Sequence, residues 1–156
     1  MKHLSFYQDD SISTKLINWV CLKELGYEFS GIRSLSLPDD VKCRRFLFKN
    51  RDKNREVEIS HYYSPPLGVG MVFIRNTEKD ENIRNSSFVV EDWLDFYADT
   101  MNGELSRETY LRLSYLSKET GVEPVLDFLE KLFWGPLKPI LTGETWENVP
   151  WDDTYK

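Results

Sequence analysis

Residues 42–75 read KCRRFLFKNRDKNREVEISHYYSPPLGVGMVFIR, and this stretch decides the fold. Lys42 to Lys49 is rich in β-compatible residues, with Phe46, Leu47 and Phe48 at its centre. Asn50-Arg51-Asp52-Lys53-Asn54 is a polar turn. Glu56 to Tyr63 then alternates: Val57, Ile59, His61 and Tyr63 face one way, Glu56, Glu58, Ser60 and Tyr62 the other. Ser64-Pro65-Pro66-Leu67-Gly68 is a second turn, and Val69 to Arg75 a third strand. Three strands joined by two short turns predict an antiparallel meander.

On the N-terminal side, Ser11 and Ser13 are candidate N-caps. Ile12, Leu16, Ile17, Val20 and Leu25 fall near one helical face, and Gly26 supplies a stop, which predicts a helix over about 12–25. Residues 27–37 are ambiguous: Tyr27, Phe29, Leu35 and Leu37 hint at short extended pieces before the turn Pro38-Asp39-Asp40. On the C-terminal side, Thr77 to Ser87 reads as an exposed polar loop. Three helices follow. Val90, Leu94, Tyr97 and Met101 make the apolar stripe of the first, which Asn102-Gly103 ends. Ser106 caps the second, with Leu113 and Leu116 inward and Gly121 as its stop. The third opens with Pro124 and buries Val125, Phe128, Leu129, Leu132 and Phe133. The segment after Gly135-Pro136 has no period but keeps Ile140, Leu141, Trp146, Val149 and Trp151, which predicts docking on the domain. The expected fold is α+β, a single domain over 1–156. It has an N-terminal helix, a three-stranded antiparallel meander, then three helices and a docked aromatic-acidic tail.

A chain of 156 residues, 40% apolar and 14% aromatic, buries enough surface to fold without a metal or disulfide staple. Cys21 and Cys43 lack CxxC spacing and suggest buried thiols in a reducing compartment. The opening Met1 to Asp10 turns acidic too soon for a signal peptide, and no apolar run reaches the length of a membrane span, so the expected location is cytoplasmic. The net charge is −6, unevenly placed: residues 1–76 carry a surplus of three cations, residues 77–156 a surplus of nine carboxylates. The acidic half repels phosphate and suits a basic partner.

Chemistry-bearing patterns are scarce. No Walker loop, dinucleotide fingerprint or GxSxG elbow occurs, and Gly68-Val69-Gly70 reads as a tight turn. His61 has no partner at ligand spacing, and a nucleophile–base pair of Cys43 and His61 lacks a third, orienting group. The expectation is therefore a protein that is not an enzyme and holds no cofactor or metal.

Two surfaces could bind a macromolecule. Asp92, Asp95 and Asp99 form an acidic stripe on the helix after Phe88, and the tail adds Glu144, Glu147, Asp152 and Asp153 beside Trp146 and Trp151. Carboxylates steer a basic protein and aromatic rings supply contact area, so these nine residues are the expected partner-binding set. The other surface is basic: Lys42, Arg44, Arg45, Lys49, Arg51, Lys53 and Arg55, opposed only by Asp52 between positions 42 and 55. A basic hairpin of that kind could track phosphates, with Phe46 and Phe48 stacking on bases, or it could be a charged edge with its phenylalanines in the core.

Phe48-Lys49-Asn50-Arg51, Asn54-Arg55-Glu56-Val57-Glu58-Ile59, Phe73-Ile74-Arg75-Asn76 and Val90-Glu91-Asp92-Trp93-Leu94, in a small acidic protein, resemble bacterial immunity proteins that accompany polymorphic or contact-dependent inhibition toxins. The resemblance spans about residues 45–100. It implies an antitoxin-like role: stoichiometric binding and neutralisation of a cognate, basic toxin domain. Membrane, nucleic acid and small molecules are not expected partners on this reading. The alternative is a nucleic-acid-binding or regulatory domain that uses the 42–55 hairpin.

Overall fold

The computed structural model describes residues 12–64, 66–79, 86–97 and 105–146. Its first helical region is two pieces rather than one: α1 over 12–17 and α2 over Val20–Glu24. The break lies at Asn18-Trp19, where the Asn18 side-chain amide donates to the Thr14 carbonyl at 3.0 Å and Trp19 turns extended. An asparagine that bonds its own backbone competes with helix continuation, and the break lets the Trp19 ring reach Phe133, 5.6 Å between centroids. The α2 stop is as read. The Gly26 amide donates to the Lys23 carbonyl and the Tyr27 amide to the Leu22 carbonyl, a Schellman end whose left-handed position (φ 94°) favours glycine.

Among the described residues the sheet has five strands, not three: β1 Glu28–Ser36, β2 Lys42–Asn50, β3 Arg55–Ser64, β4 Pro66–Asn76 and β5 Ser87–Val89. They lie in the order β1-β2-β3-β4-β5 and every pairing is antiparallel. The meander 42–75 is its centre. β1 escapes a pattern-based reading because it is exposed along most of its length, so no core face imposes alternation on it, and a bulge between Phe29 and Gly31 breaks its register. β5 has only three residues and runs straight into a helix, too short for any period to show.

Among the described residues four helices follow β5: α3 Val90–Tyr97, α4 Arg107–Thr120, α5 Glu123–Trp134 and the short α6 Lys138–Leu141. Ser106 caps α4, accepting from the Thr109 amide at 3.2 Å. One face of the sheet (Phe46, Phe48, Val57, Ile59, Val72, Ile74) packs in a single core with Leu94, Tyr110, Val125, Leu129, Leu132 and Phe133 of the helices. α4 seats across β4, and its inward residues are only partly those expected: Leu113 packs against the core, Leu116 is exposed, and Tyr110, Ser114 and Ser117 face the sheet. β5 pairs only with Phe73, Ile74 and Arg75, so among the described residues β4 has no strand on that side at Val69 and Gly70, and α4 supplies partners there. The Ser117 hydroxyl accepts the Val69 amide at 3.1 Å, the Ser114 hydroxyl donates to the Val69 carbonyl, and the Tyr110 hydroxyl donates to the Gly70 carbonyl. No helix among the described residues is long and apolar enough to cross a membrane.

Candidate partner-binding surface

The expected acidic stripe does not face solvent as a unit. α3 is enclosed by β4, β5 and α4, so Val90, Glu91, Asp92, Trp93 and Leu94 are all buried. Periodicity assigned Asp92 to an outer face that tertiary packing has covered, and burial raises the neighbouring Glu91 carboxyl above the usual range. Asp95 is exposed, but the first residue of α4 answers it: Arg107 Nη1 lies 3.5 Å from Asp95 Oδ2. Trp146 docks as anticipated, 5.3 Å from the Phe88 ring and capped by the Arg55 guanidinium at 5.1 Å. Its ring is therefore half-committed to the domain. Glu144 is exposed beside it in sequence. Asp99, Glu147, Trp151, Asp152 and Asp153 lie outside the described residues.

The best-formed acidic surface among the described residues is on α5. Glu123, Asp127 and Glu130 are spaced four and three apart, opposite the apolar face made by Val125, Leu126, Phe128, Leu129, Leu132 and Phe133. All three are exposed. Glu123 is held by Lys15 of α1, and that hydrogen bond keeps its carboxyl below the ordinary range. Asp127 and Glu130 stand further along the ridge. A groove runs down each side. One, of about 490 Å³ between α4 and α5, includes Leu105, Leu113 and Phe128 with Arg112 and Lys131. The other, of about 480 Å³ between α1–α2 and α5, includes Trp19, Val20 and Leu126. Asp127 lines both. The signal was legible in the sequence, since the same spacing that marks the apolar face of α5 also aligns these carboxylates. Lys131 within the run and the richer acid count of the tail masked it.

The basic hairpin is divided rather than gathered. Phe46 and Phe48 are buried in the core. Arg44 lies on the helix-covered side, over the rings of Phe46 (5.8 Å) and Tyr63 (5.2 Å). On the open face, Arg45 sits over Phe73 at 4.8 Å, while Lys49 and Arg75 flank Glu56 at 3.8 and 3.3 Å. Glu58 serves Arg33 at 3.2 Å. The opposing carboxylates were missed because they come from β3, across the ladder rather than along the hairpin's first strand. Arg55 is buried, its Nε donating to the Ile140 carbonyl at 2.8 Å and Nη2 to the Thr145 carbonyl at 2.9 Å. Lys42, Arg51 and Lys53 remain exposed.

Cys43 pairs with Tyr62 and Arg44 with His61, so Cys43 and His61 point to opposite faces of the sheet. Burial drives the Cys21 thiol up to about 12 and raises Cys43, which suppresses the reactive thiolate. Burial, reinforced by Arg44, lowers His61 to about 4 and keeps its imidazole neutral near pH 7. No family model, curated protein or solved structure matches the chain.

Proposed function

We propose that this chain is an immunity-type inhibitor: it binds a basic toxin domain stoichiometrically and neutralises it by protein–protein contact. The observation that carries the reading is the α5 ridge, with exposed Glu123, Asp127 and Glu130 standing between two grooves that contain apolar side chains. Grooves accept apolar anchors from a partner, and the carboxylates between them select lysine- and arginine-rich surfaces. The net charge of −6 and the resemblance carried by residues 45–100 support the same class of partner. On this reading Asp95, Asp99, Glu144, Glu147, Asp152 and Asp153 act mainly through the long-range field that draws a basic partner in, and Trp146 and Trp151 are secondary contacts. Asp92, being buried, has a structural part.

The direct test is co-elution with the toxin domain encoded beside this chain, at low and high salt. A one-to-one complex is expected, which Asp127→Lys/Glu130→Lys weakens at least tenfold while the unfolding midpoint stays put, since both side chains are exposed. Absence of a complex with that toxin ends the proposal. A complex indifferent to the double reversal moves the interface off α5.

A further inference from the structure

β1 is the exposed edge of the sheet: among the described residues its only strand neighbour is β2. It is nine residues long and carries just two charges, Glu28 and Arg33. Such an edge offers unpaired backbone N–H and C=O groups and is ordinarily blunted by charge, proline, brevity or a bulge; of these β1 has the bulge between Phe29 and Gly31, which puts Phe29 and Ile32 on one face. β5, the opposite edge, is only three residues long. β1 instead displays Phe29 at 36% and Ile32 at 42% exposure. Both lie on the helix-side face, opposite Phe48 and Phe46 of β2, and Phe29 meets Phe48 edge-on at 5.6 Å. The sheet's apolar face therefore continues onto its last strand and ends in solvent.

The order of residues along β1 is self-complementary. When a second β1 is laid antiparallel with the dyad between Ser30 and Gly31, Glu28 falls opposite Arg33 of the other copy and Phe29 opposite its Ile32, and both pairs recur across the axis. The faces agree. Glu28 and Arg33 share the open face, where they pair with Lys49 and Arg45 of β2, and Phe29 and Ile32 share the helix side. Gly31, at the dyad, has open space around it. A register one residue away loses the match, because it places Arg33 against Phe29 and Ile32 against Ser30, or Arg33 against Tyr27 and Ile32 against Glu28.

We infer that two copies of this chain associate through β1, joining their sheets into one continuous ten-stranded antiparallel sheet with Glu28–Arg33 and Phe29–Ile32 pairs on either side of a two-fold axis. The contact is isologous and closes at two copies. Cross-strand pairs of these types are each modest and a single edge covers less area than a standard interface, so the dimer is a weak, concentration-dependent one. The inference is independent of the toxin-binding proposal, since no residue of the α5 ridge lies on β1.

Sedimentation velocity on the whole chain, from low micromolar to near-millimolar concentration, tests it. The unmodified protein moves from monomer to dimer across that range. Ile32→Lys, Glu28→Arg and Arg33→Glu each shift the midpoint at least tenfold upward; the first two keep the unfolding midpoint near that of the parent because their side chains are exposed, and Arg33→Glu lowers it slightly because it gives up the Glu58 ion pair. The discriminating arm mixes the two single charge variants. Glu28→Arg offers two cations and Arg33→Glu two anions, so the mixture regains dimer that neither forms alone. Sedimentation as a monomer at every concentration overturns the inference, as would happen were the edge reserved for an extended segment of another protein. A dimer that survives Ile32→Lys, or a mixture that fails to recover, overturns it as well.

Discussion

Arg55 looks in the sequence like one cation among seven in a basic hairpin, yet its side chain spends its donors inside the molecule. Nε and Nη2 reach the carbonyls of Ile140 and Thr145, Nη1 reaches that of Asn54 at 3.1 Å, and the Trp146 ring lies against the guanidinium. Burial lowers its pKa from the usual value, the expected cost of desolvating a cation. Together with the Tyr27 hydroxyl on the Leu141 carbonyl at 2.8 Å, it satisfies the end of α6. Arg55→Ala takes the donor from the Thr145 carbonyl and releases Trp146, while the Ile140 and Asn54 carbonyls keep the Gly143 and Thr77 amides, and should cost about 2 kcal/mol in urea unfolding. Arg55→Lys should recover less than half, because an ammonium lacks the planar fork. His61 gives a second residue-scale prediction. Its pKa falls from 6.5 unfolded to about 4 folded, so the folded state excludes a proton that the unfolded chain binds. Stability is therefore full above about pH 6.5 and is lost as pH falls toward 4, by about 3 kcal/mol from this group. The groups facing it on β2 and β4 are Arg44 and the uncharged Val69. His61→Leu should flatten that part of the stability–pH curve measured by denaturant titration, and an unchanged slope would contradict the assignment.

At the scale of elements, α4 shows how tertiary context rewrites a helical pattern. Leu113 keeps the inward place that composition gives it, but Leu116 does not, because β4 at Val69 takes hydrogen bonds from α4 and Ser114 and Ser117 supply them. The helix accordingly turns Tyr110, Ser114 and Ser117 to the sheet and leaves Leu116 at the surface. Its end is governed locally. Gly121 closes α4 at φ 90°, its amide bonding the Ser117 carbonyl at 3.1 Å, and hands the chain to α5 two residues later. An L-residue there is strained, so Gly121→Ala should cost about 1–2 kcal/mol in thermal or urea unfolding. Its added methyl would also crowd the Glu123 carboxylate, 2.7 Å from the Cβ position, and loosen the Glu123–Lys15 pair.

For the whole molecule, the deciding quantity is where charge is presented rather than how much there is. The second half of the chain is strongly acidic, but α3 is enclosed and Arg107 answers Asp95, so the ridge of α5 is the acidic face best placed to meet a partner. If that ridge steers a basic toxin, raising ionic strength from about 0.05 to 0.5 M, which shortens the screening length from roughly 14 to 4 Å, should slow association of the parent protein markedly. The Asp127→Lys/Glu130→Lys variant should show a shallower salt dependence in stopped-flow binding, and equal slopes would assign the steering to other carboxylates.

The central strands β2 to β4, the helices α4 and α5, the stop at Gly26 and the burial of Phe46 and Phe48 were written in local pattern, because alternation, helical spacing and capping act over a few residues and survive any packing. The tertiary structure alone decided that residues 28–36 form an edge strand, that Asp92 turns inward, that Arg55 is an internal clamp and that β3 supplies the counter-ions of the hairpin. Each depends on what lies against a side chain from far along the chain. A periodic pattern records that a helix or strand has two unlike faces. It does not record whether something else in the fold covers the second.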